Sequence, residues 1–376
     1  MAEAASAPAD MRDQIVLPRR KTRRLMVGDV AIGGGAPIAV QSMTNTPTTD
    51  VDATVAQIHR LEDAGADIVR VSVPDAESAA ALPEILAQTS APIIADIHFS
   101  YKMALSSLQA GVHGLRLNPG NIGGRNRVER VVRAAAERGV SIRIGVNAGS
   151  LEKELNEKYG EPCADAMVES ALNHIQILED MNFHDIKVSL KASNIPMTVT
   201  AYRKLADKVD YPLHLGITES GSLFGGTVKS SVGLGLLLAD GIGDTIRISL
   251  AAEPEEEVRV GFEMLKALGL RHRGVNLIAC PSCARQKFNV IETVARLEER
   301  LAHIRESMDI AVIGCVVNGP GEAREADFGV TGGQPEHLMY EDGDKAEKVA
   351  SEAMIDRLVE QAEARAKAIR DRQERG

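Results

Sequence analysis

Ser141-Ile142-Arg143-Ile144-Gly145-Val146-Asn147 follows directly on the helix-like stretch RVVRAAAERG at 130–139. In an extended chain, Arg143 and Asn147 share one face while the intervening Ile and Val side chains point to the other. The preceding stretch carries apolar residues at helical spacing and closes on Gly139, a residue suited to a left-handed C-cap. Together they form one helix-to-strand step, and the step recurs in both directions. Short β-rich runs lie at 38–43, 68–73, 92–99, 114–120, 141–147, 185–191, 212–218 and 244–250. Amphipathic stretches such as VAQIHRLEDAGA at 55–66 separate them. Eight such units in about 230 residues match the size and period of a (β/α)8 TIM barrel. A doubly wound open sheet is the alternative, but eight consecutive units favour closure.

Parallel strands covered on both faces ordinarily read as nearly continuous Val, Ile and Leu. These do not. Arg70 and Ser72, Asp96 and His98, Arg116 and Asn118, and Arg143 and Asn147 alternate with apolar residues. So do Lys187, Ser189 and Lys191, then His214, then Arg247 and Ser249, with Glu219 just past its strand. If this face lines the barrel mouth, cations from five strands converge. Two of them ~6 Å apart repel by about 3 kcal/mol at an effective dielectric near ~20. A bound polyanion, a phosphate or diphosphate, would compensate them. Ion pairs with helices outside the barrel are the bland reading, which suits one arginine better than five strands sharing one arrangement. Gly-rich stretches at 118–124 and 220–226 offer backbone N–H groups at helix starts. Gly226-Thr227-Val228-Lys229-Ser230 lacks nucleotide P-loop spacing. His59, His174 and His303 read as surface or packing residues.

Beyond a linker at 269–274 the pattern changes. A strand ending in Cys280, a helix within 284–304, strands at 310–315 and 327–332, and a long charged C-terminal helix indicate a small α/β domain over 275–376. Three of the four cysteines fall here: Cys280 and Cys283 in a C-x2-C pair, then Cys315, with Glu322 following. Thiolates select zinc or iron–sulfur clusters over hard cations. Spacing alone leaves both open, with Glu322 or a histidine as fourth ligand. Cys163 stands apart and reads as a packed residue.

The 376 residues are 44% hydrophobic and 26% charged, an ordinary globular balance. The net charge of −10, 3% aromatic content and absence of Trp argue against general nucleic-acid binding. No apolar run approaches the ~20 residues of a membrane span. Four cysteines without regular pairing suit a reducing cytoplasm. Residues 1–24 read as a disordered or extended tail without a signal pattern. Its basic run, Arg19-Arg20-Lys21 with Arg23-Arg24, reads as a solvated stretch. The barrel is expected over 25–268.

The motifs VQSMTNT (40–46), RVSVPD (70–75), ADIHF (95–99), RLNPGN (116–121), IRIGVN (142–147), SLKAS (189–193), GITESG (216–221), CPSC (280–283) and CVVNGPGEA (315–323) resemble the 4-hydroxy-3-methylbut-2-enyl diphosphate synthase family. The resemblance spans about residues 20–365 and follows the shorter bacterial form, in order. It implies a TIM barrel followed by a [4Fe-4S] domain, with Cys280, Cys283, Cys315 and Glu322 as cluster ligands. It implies a cyclic diphosphate substrate, 2-C-methyl-D-erythritol 2,4-cyclodiphosphate, opened and reduced by two electrons from flavodoxin or ferredoxin. It also implies a head-to-tail homodimer. Arg70, Arg116, Arg143, Lys191 and Arg247, with Asn118, Asn147 and Ser249, would then bind substrate. Glu219 would be the proton donor, with Asp96 and His98 as weaker candidates.

Overall fold

A computed structural model of the protein describes residues 16–375. Residues 1–15 of the expected tail lie outside the described residues. The chain divides into two compact units, the first ending at Arg271 and the second beginning at His272.

The first unit opens with an antiparallel hairpin, β1 (Leu25–Val27) and β2 (Val30–Ile32). Eight parallel strands follow: β3 (Ala39–Met43), β4 (Ile68–Ser72), β5 (Ile93–Asp96), β6 (Gly114–Arg116), β7 (Ser141–Asn147), β8 (Ile186–Lys191), β9 (His214–Leu215) and β10 (Thr245–Ile246). Their order is β8-β7-β6-β5-β4-β3-β10-β9, and a Val188–Leu213 bridge joins β8 to the start of β9. This is a closed TIM barrel, and each strand falls within an expected run. β9 and β10 keep only two paired residues each, because the chain leaves the ladder there for the loops of the mouth. Gly216 marks that departure: a Cβ there would lie 2.9 Å from the Arg247 carbonyl oxygen.

Leu25, Val27 and Ile32 of the hairpin pack on Ala39, Ile68 and Ile94, which sit at or near the N-terminal ends of their strands. The hairpin therefore plugs one end of the barrel and leaves the C-terminal end for function. The helices begin and end where the side chains dictate. Asp50, Asp75 and Asn194 cap N-termini by accepting backbone N–H bonds. Gly139 takes the expected left-handed cap at φ 64°.

Arg19 and Arg20 of the basic run are not solvated, whereas Lys21, Arg23 and Arg24 are exposed as expected. Arg19 donates to the carbonyls of Ala36 at 2.6 Å and Gly243 at 3.0 Å, and pairs with Asp244 at 3.1 Å. Arg20 donates to the carbonyls of Tyr211 at 2.6 Å and Ala206 at 3.2 Å. Ala206 ends the helix Ile195–Ala206, whose last carbonyls have no partner within the helix. A guanidinium fits that end well, and a run of Arg in sequence does not reveal such targets.

In the second unit β11 (Val275–Ala279), β12 (Met308–Ile313) and β13 (Phe328–Thr331) run parallel. β14 (His337–Glu341) and β15 (Asp344–Val349) extend the sheet antiparallel. Helices Val290–Leu301 and Met354–Gln373 share one core with Ile310 and Val312. Ala311 and Ile313, on the opposite face of the same strand, pack with Ala323 of the short helix Gly319–Glu325. The expected helix within 284–304 starts only at Val290, where Asn289 caps it. The β14–β15 hairpin was not among the expected strands. β15 is an edge strand with charges at Asp344, Lys345, Glu347 and Lys348, which mask its alternation. The turn Asp342-Gly343, with φ of 49° and 85°, is the signal that marks it.

Candidate functional site

A cavity of about 630 Å³ opens at the C-terminal end of the barrel. Arg70, Arg116, Arg143, Asn147, Lys191, Arg247 and Ser249 line it, as do Asp96, His98 and Glu219. Asn118 does not. Its amide donates to the Gly145 carbonyl at 3.0 Å and accepts the Gly145 N–H at 2.8 Å, so both polar ends are taken. Arg116 donates to the same carbonyl at 3.0 Å. A Cβ on residue 145 would stand 2.6 Å from Arg116 Nε, so only glycine lets the guanidinium lie across β7.

The charges are unequally matched. Asp96 sits 3.7 Å from Arg70, 3.4 Å from Arg116 and 3.6 Å from His98. Burial would raise its carboxyl, but Arg70, the His98 hydrogen bond, Arg116 and Arg143 hold it well below the usual range. Arg143 donates to Ser189 Oγ at 2.6 Å, and Arg247 lies 3.6 Å from Glu257. Burial pulls Arg70 down to about 10 despite Asp96. Burial and neighbouring guanidiniums push Arg143 and Lys191 further below their ordinary values. Arg116 Nε, Arg143 Nε and Nη2, and Arg247 Nε are buried without a hydrogen-bond partner among the described residues. Buried donors left unmet are costly, and oxygens of a polyanion would meet them.

Beneath the mouth, Lys187 and His214 are buried and do not line the cavity. His214 Nδ1 is 2.7 Å from Thr245 Oγ1, while Lys187 Nζ lacks a hydrogen-bond partner among the described residues. Burial and Arg143 bring Lys187 down to about 7. Glu219 is exposed and held at φ 54°, a left-handed conformation rare outside glycine. Ser220 and Glu257 also line the cavity without having been assigned to it from sequence, and Ser189 lines it from the expected face without having been named as a substrate ligand. Ser189 was legible by its alternation with Lys187 and Lys191. Glu257 was hidden in Glu255-Glu256-Glu257, which reads as an acidic first turn facing solvent.

The cysteines gather at one edge of the second sheet. β11 and β12 are parallel neighbours with Ala279 opposite Val312, so Cys280 and Cys315 both leave from strand C-termini. Cys280 Sγ accepts the Gly314 N–H at 3.2 Å. The Lys287 N–H donates to the Gly314 carbonyl at 2.8 Å, folding the C-x2-C loop back over the end of β12. Cys283 is exposed, and its thiol is lowered by the Arg285 N–H and guanidinium. That guanidinium also feels Cys315. Glu322 is exposed in the first turn of Gly319–Glu325. Among the described residues, no three His, Cys, Asp or Glu side chains close around a single-ion site. Partly exposed thiols at one sheet edge, with a cation lowering one of them, suit a group in which each thiolate meets its own iron.

A TIM barrel with a cationic mouth, in one chain with an α/β unit that carries three thiols at the ends of neighbouring strands, defines a two-domain α/β protein with an anion-suited cavity. The chain belongs to the GcpE family: the GcpE TIM-barrel domain matches residues 22–262 and the GcpE protein C-terminal domain matches residues 276–364. A relative from Magnetococcus marinus, named 4-hydroxy-3-methylbut-2-en-1-yl diphosphate synthase (flavodoxin), is 62% identical and covers 96% of this chain and 97% of its own. Relatives of the same name from Alcanivorax borkumensis and Zymomonas mobilis are 58% and 60% identical, over 97% and 94% of this chain.

Proposed function

We propose that this chain performs the reaction its relatives are named for. It reduces and opens 2-C-methyl-D-erythritol 2,4-cyclodiphosphate to 4-hydroxy-3-methylbut-2-enyl diphosphate with two electrons, releasing a hydroxyl as water. The observation that carries this reading is the cationic cavity with unmatched buried donors. Arg70, Arg116, Arg143, Lys191 and Arg247 grip the diphosphate, and Asn147, Ser189 and Ser249 complete its hydrogen bonds. Asp96 keeps Arg70 and Arg116 aimed at the cavity, and Asn118 does the same for Arg116 through Gly145. Glu219 holds the proton for the departing hydroxyl at the cavity rim.

Cys280, Cys283, Cys315 and Glu322 would hold a [4Fe-4S] cluster, whose chemistry when bound is single-electron delivery and Lewis-acid contact with oxygen. Glu322 is the hardest and most replaceable donor of that set. Flavodoxin, named in the relatives, is the electron donor on this reading. Two copies work head to tail, so that one chain's cluster serves the other chain's barrel. No helix among the described residues is long and apolar enough to cross a membrane.

Anaerobic protein, reconstituted with iron and sulfide, is incubated with reduced flavodoxin and the cyclic diphosphate. The linear alkenyl diphosphate is the expected product, and intact substrate beside flavodoxin that stays reduced would refute the assignment. Mixing the inactive Cys283→Ser with Arg143→Met, at substrate concentrations too low for Arg143→Met alone to bind, tests the pairing of chains. A head-to-tail dimer regains activity, whereas chains that act alone do not.

A further inference from the structure

We propose that Glu257 couples anion binding in the cavity to proton uptake: ionised and facing Arg247 before the diphosphate arrives, it takes one proton from solvent on binding and turns its free oxygen into a donor to a phosphate oxygen. This rests on the diphosphate-binding reading above. Glu257 sits in the first turn of the helix Pro254–Ala267 and is 5% exposed. One carboxyl oxygen, Oε1, is fixed by the Leu250 N–H at 2.9 Å. The other, Oε2, lies 3.6 Å from Arg247 Nη2, is buried, and has no hydrogen-bond partner among the described residues. A buried carboxylate oxygen with no donor, on the wall of a cavity for anions, is a mismatch in the ionised state. Protonated, the same oxygen becomes the donor that a phosphate requires.

The surrounding charges support the change of state. Burial raises the Glu257 carboxyl, while Arg247, the Leu250 N–H and Lys191 pull it back down. Arg70 also lies within its field. On its own helix, Glu255 and Glu256 are bonded to Arg60 at 2.5 Å and Arg259 at 2.7 Å. From β3 the Ser42 hydroxyl, which does not titrate, donates to the Pro254 carbonyl of the same helix turn at 3.5 Å. A diphosphate that neutralises Arg247 and Lys191 removes two of the three pulls that keep the carboxyl ionised, leaving the Leu250 N–H, and adds like charge beside it. Both changes favour the acid form.

The test uses oxidised enzyme without reductant, so that the cyclic diphosphate binds and does not react. Each phosphorus of that ligand carries a single, strongly acidic hydroxyl, so the ligand takes up no proton across roughly pH 5–8. Calorimetry in buffers of different ionisation enthalpy counts the protons taken up on binding. Wild type should take up to about one proton more than Glu257→Gln, and its affinity should fall up to about tenfold more per pH unit. Equal uptake and parallel pH profiles overturn the proposal. Difference infrared spectra of wild type should show a protonated-carboxyl band appearing on binding, and the band should survive Glu219→Gln. Its absence overturns the proposal even if Glu257→Gln does not fold. If wild type binds no diphosphate at all, the anion-site reading fails instead.

Discussion

The barrel mouth and the cysteine-bearing sheet edge both assemble groups that repel or react when left alone, but at different depths. Arg143 and Lys191 are 2% and 8% exposed, on strands locked in register, with Asp96 already in place between neighbouring cations. Cys283 and Glu322 are exposed, on a loop and in the first turn of a seven-residue helix. The mouth carries its electrostatic strain inside a finished fold, so a ligand meets an arrangement already formed. At the sheet edge the candidate donors are exposed and free to adjust, and on the proposed reading a bound cluster would complete their arrangement.

The most severe break in this comparison falls at the sheet edge. Cys283→Ser should lose the visible absorbance of the reconstituted cluster and all turnover, while circular dichroism of the protein stays native; a variant of normal absorbance removes Cys283 from the ligand set. At the mouth the largest cost should be one of stability. Asp96→Asn leaves Arg70 and Arg116 without their carboxylate, so unfolding in urea near pH 7 should show a loss of about 3 kcal/mol. Because Asp96 is held below its unfolded value, its stabilisation is complete above about pH 4 and is lost as pH falls further. The gap to wild type should therefore close in strong acid, and a gap independent of pH would refute the ion-pair account.

Arg143→Met should weaken binding of the cyclic diphosphate by about 2 kcal/mol, roughly thirtyfold, with the fold intact. Unchanged affinity would show that the guanidinium faces no phosphate. Lys187 supplies the opposite sign. Its folded value is about 7, below the ordinary lysine range, so its burial destabilises the fold increasingly as pH falls from ~10 to ~7 and constantly below that. Lys187→Met should stabilise the protein near neutrality by on the order of 1–4 kcal/mol, with no gain above about pH 10. Smallest of all, Lys153→Ala at an exposed pair with Glu157 should shift stability by less than ~0.5 kcal/mol.

Much of the mouth was legible because strand geometry is rigid: a period of two carries Arg116, Arg143 and Lys191 to one side whatever surrounds them. Residues that arrive from elsewhere were not. Glu257 comes from a helix whose first turn reads as a solvated acidic cap. Asn118 lies on the right face by alternation, but Gly145 takes both ends of its amide, a pairing across strands that no single segment encodes. At the sheet edge the cysteines were legible by type and spacing, yet the Asp342-Gly343 hairpin that widens their sheet was missed because charge hid its strand.

The stretch from Leu17 to Arg24 gives the barrel an order of assembly. Arg19 bridges the carbonyls of Ala36 and Gly243, latching the seam where β3 meets β10, and its partners at that latch lie up to 225 positions further along the chain. On a ribosome this arm emerges before the strands it clasps and finds its anchorage only after them. Closure of the cylinder waits for the eighth strand, and a nascent chain stopped before Asp244 holds its own clasp open.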